Sequence, residues 1–232
     1  MMNVQIGADR RLLATLSLAL ATMLAGPAGT AVAQVTVLVP TEGDIKATLA
    51  LPGDIQRGQE AYAECQSCHR KDGSGRAKFD IPRLSGQHAS VLIKQLMDIR
   101  SGLRVNQEMK DYMADSGLTL ENFADIAAYL QSLPVVGSIA QGPPELVPRG
   151  KAVYASNCAA CHGERGEGRA ELFYPMLASQ HYSYLLREID LVLSGKRGNS
   201  NPAMPAILGQ LSADDKLAVA AYLAQLPAPA RK

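Results

Sequence analysis

Cys65-Gln66-Ser67-Cys68-His69 and Cys158-Ala159-Ala160-Cys161-His162 take up all four cysteines of this 232-residue chain. The second stretch follows the first by 158 − 65 = 93 residues. Cys-x-x-Cys-His is the spacing at which two thiols add across the two vinyl groups of one porphyrin while the adjoining histidine turns beneath the ring to ligate its iron. A Cys-x-x-Cys pair alone would also suit a redox disulfide or half of a zinc site. The histidine directly after both pairs, together with signs of export at the N-terminus, decides for two covalently attached haem c groups with His69 and His162 as iron ligands.

Arg10 and Arg11 give a positive start, residues 12–24 are an apolar run, and Ala31-Val32-Ala33 matches a small-x-small cleavage site. Such a run is too short to cross a bilayer as a helix, which takes about 20 residues. Residues 1–33 therefore read as a signal peptide, and the mature chain is expected in the periplasm. Lys plus Arg number 23 against 22 Asp plus Glu, with no basic run that would suit nucleic acid or a lipid surface. Gly73-Ser74-Gly75 and Gly166-Glu167-Gly168 read as turns beside the haems, not phosphate cradles.

Sliding the sequence by 93 keeps matching residues in step from the first haem motif to the end of the second module. Gly73, Gly75, Arg76 and Pro82 meet Gly166, Gly168, Arg169 and Pro175; Gln87-His88 meets Gln180-His181; Arg104 and Asn106 meet Arg197 and Asn199. Ala127-Ala128-Tyr129-Leu130 meets Ala220-Ala221-Tyr222-Leu223. The spacing predicts helices from Gly58 and Gly150 into the haem motifs, from His88 to Ser101 and His181 to Ser194, and from Thr119 to Leu133 and Ser212 to Leu226. No segment alternates as a strand. The chain divides into a signal peptide (1–33), an irregular leader (34–52), a first module (53–134), a Pro- and Gly-rich connector (135–148) and a second module (149–228). Each module has about 80 residues, and with three Phe and no Trp in the whole chain the haem itself is expected to complete each core.

The two haem motifs, the repeated Pro-x-Leu-x-x-Gln, the Gly-x-Arg after a helix and the closing Ala-Ala-Tyr-Leu resemble the di-haem class I cytochromes of the cytochrome c4 type. The resemblance implies an all-α fold of two tandem class I cytochrome c domains, each wrapped around one six-coordinate haem c. It implies that Gly58 packs against Tyr129 and Gly150 against Tyr222. The carbonyls of Pro82 and Pro175 would receive the second ring nitrogen of the proximal histidine, orienting it. Met204 stands at the family's sixth-ligand position in the second module, with Met176 packing on a haem edge. In the first module the aligned residue is Asp111; Met109, which follows Arg104-x-Asn106, leads as sixth ligand, with Met113 second. His88 and His181 are the only other histidines, and both read as helix starts at the surface, each beside a propionate, rather than as iron ligands.

Irons closed by His and Met have no open position, so the resemblance implies one-electron transfer without catalysis. The expected partners are a dehydrogenase or quinol-oxidising complex as donor and a terminal oxidase or reductase as acceptor. The alternatives are a haem enzyme, peroxidase-like or oxidising a sulfur compound, and the cytochrome subunit of a flavoprotein dehydrogenase. Sulfur-oxidising relatives of this kind are associated with a cysteine axial ligand, and no fifth cysteine exists here.

Overall fold

The structure, a computed structural model, describes residues 41–135 and 140–229; the expected signal peptide lies outside them. Regular structure among the described residues is helical. Among the described residues, β pairing is confined to the isolated bridges Arg76–Ile81 and Arg169–Tyr174, which are repeat partners. The first module comprises α1 (Glu42–Leu49), α2 (Ile55–Ala61), α3 (Gln66–His69), α4 (Ala89–Arg100), α5 (Gln107–Asp115) and α6 (Leu120–Ser132). The second comprises α7 (Val147–Asn157), α8 (Ala159–His162), α9 (Tyr182–Leu193), α10 (Ala203–Gly209) and α11 (Ala213–Gln225).

Side-chain caps fix where several of these helices begin. Asp54 accepts from Arg57 N ahead of α2, and Thr119 with Asn122 and Ser212 with Asp215 form reciprocal capping boxes ahead of α6 and α11. A third box, Thr41 with Asp44, starts α1 inside the stretch expected to be an irregular leader. That expectation is corrected. The helix is short and buries chiefly Ile45 and Thr48 against α4 and α6, so its apolar stripe is too narrow to stand out as a pattern. The connector also ends early, in a turn at Pro144–Leu146 that runs directly into α7. The expected continuous helices into the haem motifs are broken in the first module by a tighter turn, Tyr62–Cys65, between α2 and α3.

In each module the first long helix crosses the last at a glycine. A Cβ on Gly58 would enter the Asp125 carbonyl and lie 2.9 Å from Tyr129 Cβ; one on Gly150 would enter that of Ala218 and lie 2.7 Å from Tyr222 Cβ. One turn on, Tyr62 meets Tyr129 and Tyr154 meets Tyr222, each at 5.6 Å between ring centroids. The buried hydroxyls are satisfied by carbonyls just past the haem motifs: Tyr62 donates to Arg70 O at 3.0 Å and Tyr154 to Gly163 O at 2.6 Å. The first crossing is also pinned by Asp125, which accepts from Arg57 Nε at 2.8 Å and Asp54 N at 2.7 Å.

Arg70 and Gly163 occupy the same backbone position with different tolerance for it. Arg70 is at φ 63°, ψ 162° and Gly163 at φ 81°, ψ 159°, a region open almost only to glycine, where another residue costs about 1–3 kcal/mol. Glycine's larger unfolded-state freedom offsets about 0.5–1 kcal/mol of any relief. Arg70→Gly is therefore expected to raise the stability of the first module by about 1 kcal/mol, read as a higher denaturation midpoint of the haem-loaded protein; a lower midpoint would contradict it.

Candidate haem sites and the module interface

Each Cys-x-x-Cys-His set is carried on a tight helical turn, so both cysteines and the histidine fall on successive steps of one coil. All four cysteines are free. Burial pushes the Cys65 and Cys158 thiols up to about 11. They therefore sit as neutral thiols.

The loop after each motif returns a carbonyl to the histidine. Gly75 N donates to His69 O at 3.1 Å and Leu84 N to Gly73 O at 2.7 Å; in the second module Gly168 and Leu177 repeat both bonds at 2.8 Å. Gly75 has φ +75°, and a Cβ there would enter the carbonyls of Ile81 and Pro82, so the turn takes only glycine. His69 Nδ1 lies 3.3 Å from Pro82 O and His162 Nδ1 3.1 Å from Pro175 O. A carbonyl only accepts, so Nδ1 carries the proton and Nε2 keeps the lone pair a metal needs. Burial is the main influence on both imidazoles and lowers their affinity for a second proton.

A largely apolar cavity opens beside His69, lined by Cys65, Pro82, Leu92, Ile126 and both Met109 and Met113. The two methionines lie one turn apart on α5; Met113 is buried in the module's core and Met109 is half-buried against it. Asp111, between them, is exposed. In the second module Met204 stands at the start of α10 and packs on Val192, Leu208 and Leu211. Met176 does not stay within its own module: it lines the cavity that contains His69. Free paired thiols, an imidazole with its lone pair available and an apolar cavity edged by thioethers fit a covalently attached haem. Cys65, Cys68 and His69 would hold one and Cys158, Cys161 and His162 the other.

The two modules meet through contacts that repeat when the modules are exchanged. Gln87 brackets Met176, accepting from its N at 2.9 Å and donating to its O at 3.0 Å. Gln180 does the same to Arg83, at 2.9 and 3.0 Å. His88 Nε2 donates to Glu167 O at 2.7 Å, and His181 Nε2 to Ser74 O at 2.8 Å. Ser90 donates to Ala170 O and Ser183 to Ala77 O. The expected surface position of His88 and His181 is thus corrected: His181 is buried, and both imidazoles are spent on carbonyls of the opposite module's glycine loop. The sequence reading missed this interface, although matched Gln-His pairs at both helix starts carried its signal.

Known proteins resemble the chain along most of its length. The family described as "Cytochrome c" matches residues 55–134, and that described as "Cytochrome C oxidase, cbb3-type, subunit III" matches 145–223. Cytochrome c4 of Pseudomonas aeruginosa is 33% identical over 181 residues, covering 74% of this chain and 88% of that protein. A protein of Stutzerimonas stutzeri described as a thiosulfate dehydrogenase electron acceptor is 32% identical over 206 residues, 81% of this chain and 94% of its own. The crystal structure of reduced recombinant cytochrome c4 from Pseudomonas stutzeri superposes with a TM-score of 0.68 at 30% identity, covering 76% of this chain and all of that one.

Proposed function

The chain belongs to the cytochrome c4-type di-haem class I cytochromes c, and from that premise we propose that it works in the periplasm, passing single electrons from a respiratory donor to a terminal oxidase or reductase. Its two Cys-x-x-Cys-His sites are haem c sites with histidine–methionine ligation, and the protein is an electron carrier. When bound, the haems supply iron that gains and loses one electron without a change of ligands. The observation that carries the reading is that one cavity is lined both by an oriented imidazole, His69, and by the thioethers of Met109 and Met113 on α5. We assign Met109 and Met204 as the sixth ligands. Around them the chain's task is to hold the imidazoles, exclude water and keep the two modules in fixed register.

A donor that oxidises thiosulfate is the more specific possibility, favoured by the relative described as the electron acceptor of a thiosulfate dehydrogenase. Reduction of the protein by thiosulfate only in the presence of such a dehydrogenase would support it.

The optical spectrum of the purified haem-loaded protein, with carbon monoxide added after reduction, tests the carrier reading. Two low-spin haems that ignore carbon monoxide are expected, and a haem that binds it in the unsubstituted protein would overturn the reading. Met204→Ala is expected to open one haem to carbon monoxide and to lower its potential, and Met109→Ala the other. If Met113→Ala and not Met109→Ala opens the first haem, the assignment passes to Met113.

A further inference from the structure

The repeat that pairs the two modules breaks at a buried position of their interface. Lys94-Gln95-Leu96 on α4 matches Arg187-Glu188-Ile189 on α9, so a carboxylate stands where the other module has an amide. Glu188 is 7% exposed. It accepts from Arg197 Nη1 at 2.6 Å, Arg187 Nη2 at 2.9 Å and Arg104 Nη2 at 3.1 Å. Its repeat partner Gln95 accepts from Arg104 Nη1 at 2.9 Å and Asn199 Nδ2 at 3.0 Å.

Arg104 and Arg197 are repeat partners, one from each module, and both turn onto the same anion. The other buried carboxylate nearby, Asp98, is bonded by Asn199 of the second module and paired with Lys94 on its own helix, which leaves Glu188 as the anion that takes an arginine from each module. Burial alone pushes the Glu188 carboxyl up, but the surrounding arginines, Arg104 first, outweigh it and hold it below the ordinary glutamate value. Glu188 is therefore ionised at neutral pH. Although it belongs to the second module, it lines the cavity that contains Cys65 and His69.

We propose that Glu188 is a positioning residue for electron transfer: it draws Arg104 and Arg197 together across the interface and sets a negative charge in the wall of the first haem's cavity, lowering that haem's reduction potential. The proposal rests on the two-haem carrier reading above. Adding an electron beside a fixed anion costs more the lower the surrounding dielectric, and charge and burial around a haem are among the levers that set its potential. Gln95, being neutral, applies no matching charge from the first module.

Spectroelectrochemical titration of haem-loaded Glu188→Gln, with each haem followed by its own shifted methyl resonances, tests this. The first haem's midpoint is expected to rise, its reduction equilibrium moving about tenfold toward the reduced form, or about 59 mV for a one-electron couple, with a smaller change at the second. Gln95→Glu is expected to lower a midpoint instead. A purely structural role would shift the melting temperature and leave the midpoints in place. Unmoved or lowered midpoints in a folded Glu188→Gln protein overturn the proposal. Should that variant fail to accumulate, an unmoved pair of midpoints in Gln95→Glu does so. Carbon monoxide binding by the unsubstituted protein would defeat the carrier reading separately, because the effect of Glu188 on the midpoints would still be readable.

Discussion

Alanine at Gly58 or Gly150 is expected to destabilise its module by about 3 kcal/mol or more, reversing the usual sign of such a change. Within a helix, Gly→Ala ordinarily stabilises by about 1 kcal/mol, because alanine loses less backbone freedom. Here the new methyl group would enter a backbone carbonyl of the crossing helix, that of Asp125 or Ala218, and press on the Cβ of Tyr129 or Tyr222. Neither carbonyl can swing aside, because each belongs to the interior of a helix, so α2 would have to move off α6, or α7 off α11. Overpacking alone costs about 1–3 kcal/mol, and separating the helices adds the loss of the Tyr62–Tyr129 or Tyr154–Tyr222 contact. A loss of this size is a large share of a domain's net stability of about 5–15 kcal/mol. Gly209, at the end of α10 with nothing near its Cβ position, serves as the control: Gly209→Ala is expected to be neutral or slightly stabilising. Thermal melts of the haem-loaded variants decide the matter, and a Gly150→Ala protein as stable as the parent would show that the helices are not held at that distance.

Those crossings were legible through the resemblance to class I cytochromes, which pairs a glycine of the first helix with an aromatic residue of the last, even though Gly58 stands one residue nearer its haem motif than Gly150 does. The capped helices were legible for a local reason: Thr119 and Ser212 lie three residues before a reciprocating side chain. Where the reading fell short, the deciding interactions were long-range or short in extent. α1 rests on a capping box at Thr41 and Asp44 with only Ile45 and Thr48 deeply buried. α5 and α10 span too few residues for a helical period to emerge, and Pro202 and Pro205 further disguise α10. The interface is made by bonds between residues 79 to 107 positions apart. Gln87, His88, Gln180 and His181 look like surface residues until the opposite module supplies their acceptors. The repeat nonetheless held a clue, because polar pairs retained at matched helix starts need a matched reason. The mismatch of Gln95 with Glu188 was equally visible, but its meaning needed Arg104 and Arg197 to be seen converging on one carboxylate.

A chain denied its second haem by Cys158→Ala with Cys161→Ala is expected to lose the second module as a folded unit, whereas Cys65→Ala with Cys68→Ala leaves more residual structure in the first. Burial of several hundred Å² of macrocycle at about 25 cal/mol per Å² contributes on the order of 10 kcal/mol, comparable with the whole net stability of a domain. The two modules differ in what remains without it. In the first, Tyr62, Met97, Phe123, Ile126 and Leu130 join Ile45 of α1 in one continuous cluster. In the second, Lys216 and Asp190 stand at the repeat positions of Phe123 and Met97. The buried apolar residues there fall into two separate groups, one around Tyr154, Leu185 and Leu223 and a smaller one of Val192, Leu208 and Leu211. Partly buried Val153 and Ile189 are what the two groups share. Without a haem to complete this core, α10 is held chiefly by the smaller group. Far-UV circular dichroism is expected to show the second module's helices missing at 25 °C when its cysteines are replaced, and a cooperative, parent-like melt would refute the expectation. The damage should also reach across the interface, because unfolding the second module withdraws Gln180 from the Arg83 backbone and His181 from Ser74 O. The first haem's midpoint should then move as well, since the charge of Glu188 leaves its cavity with α9.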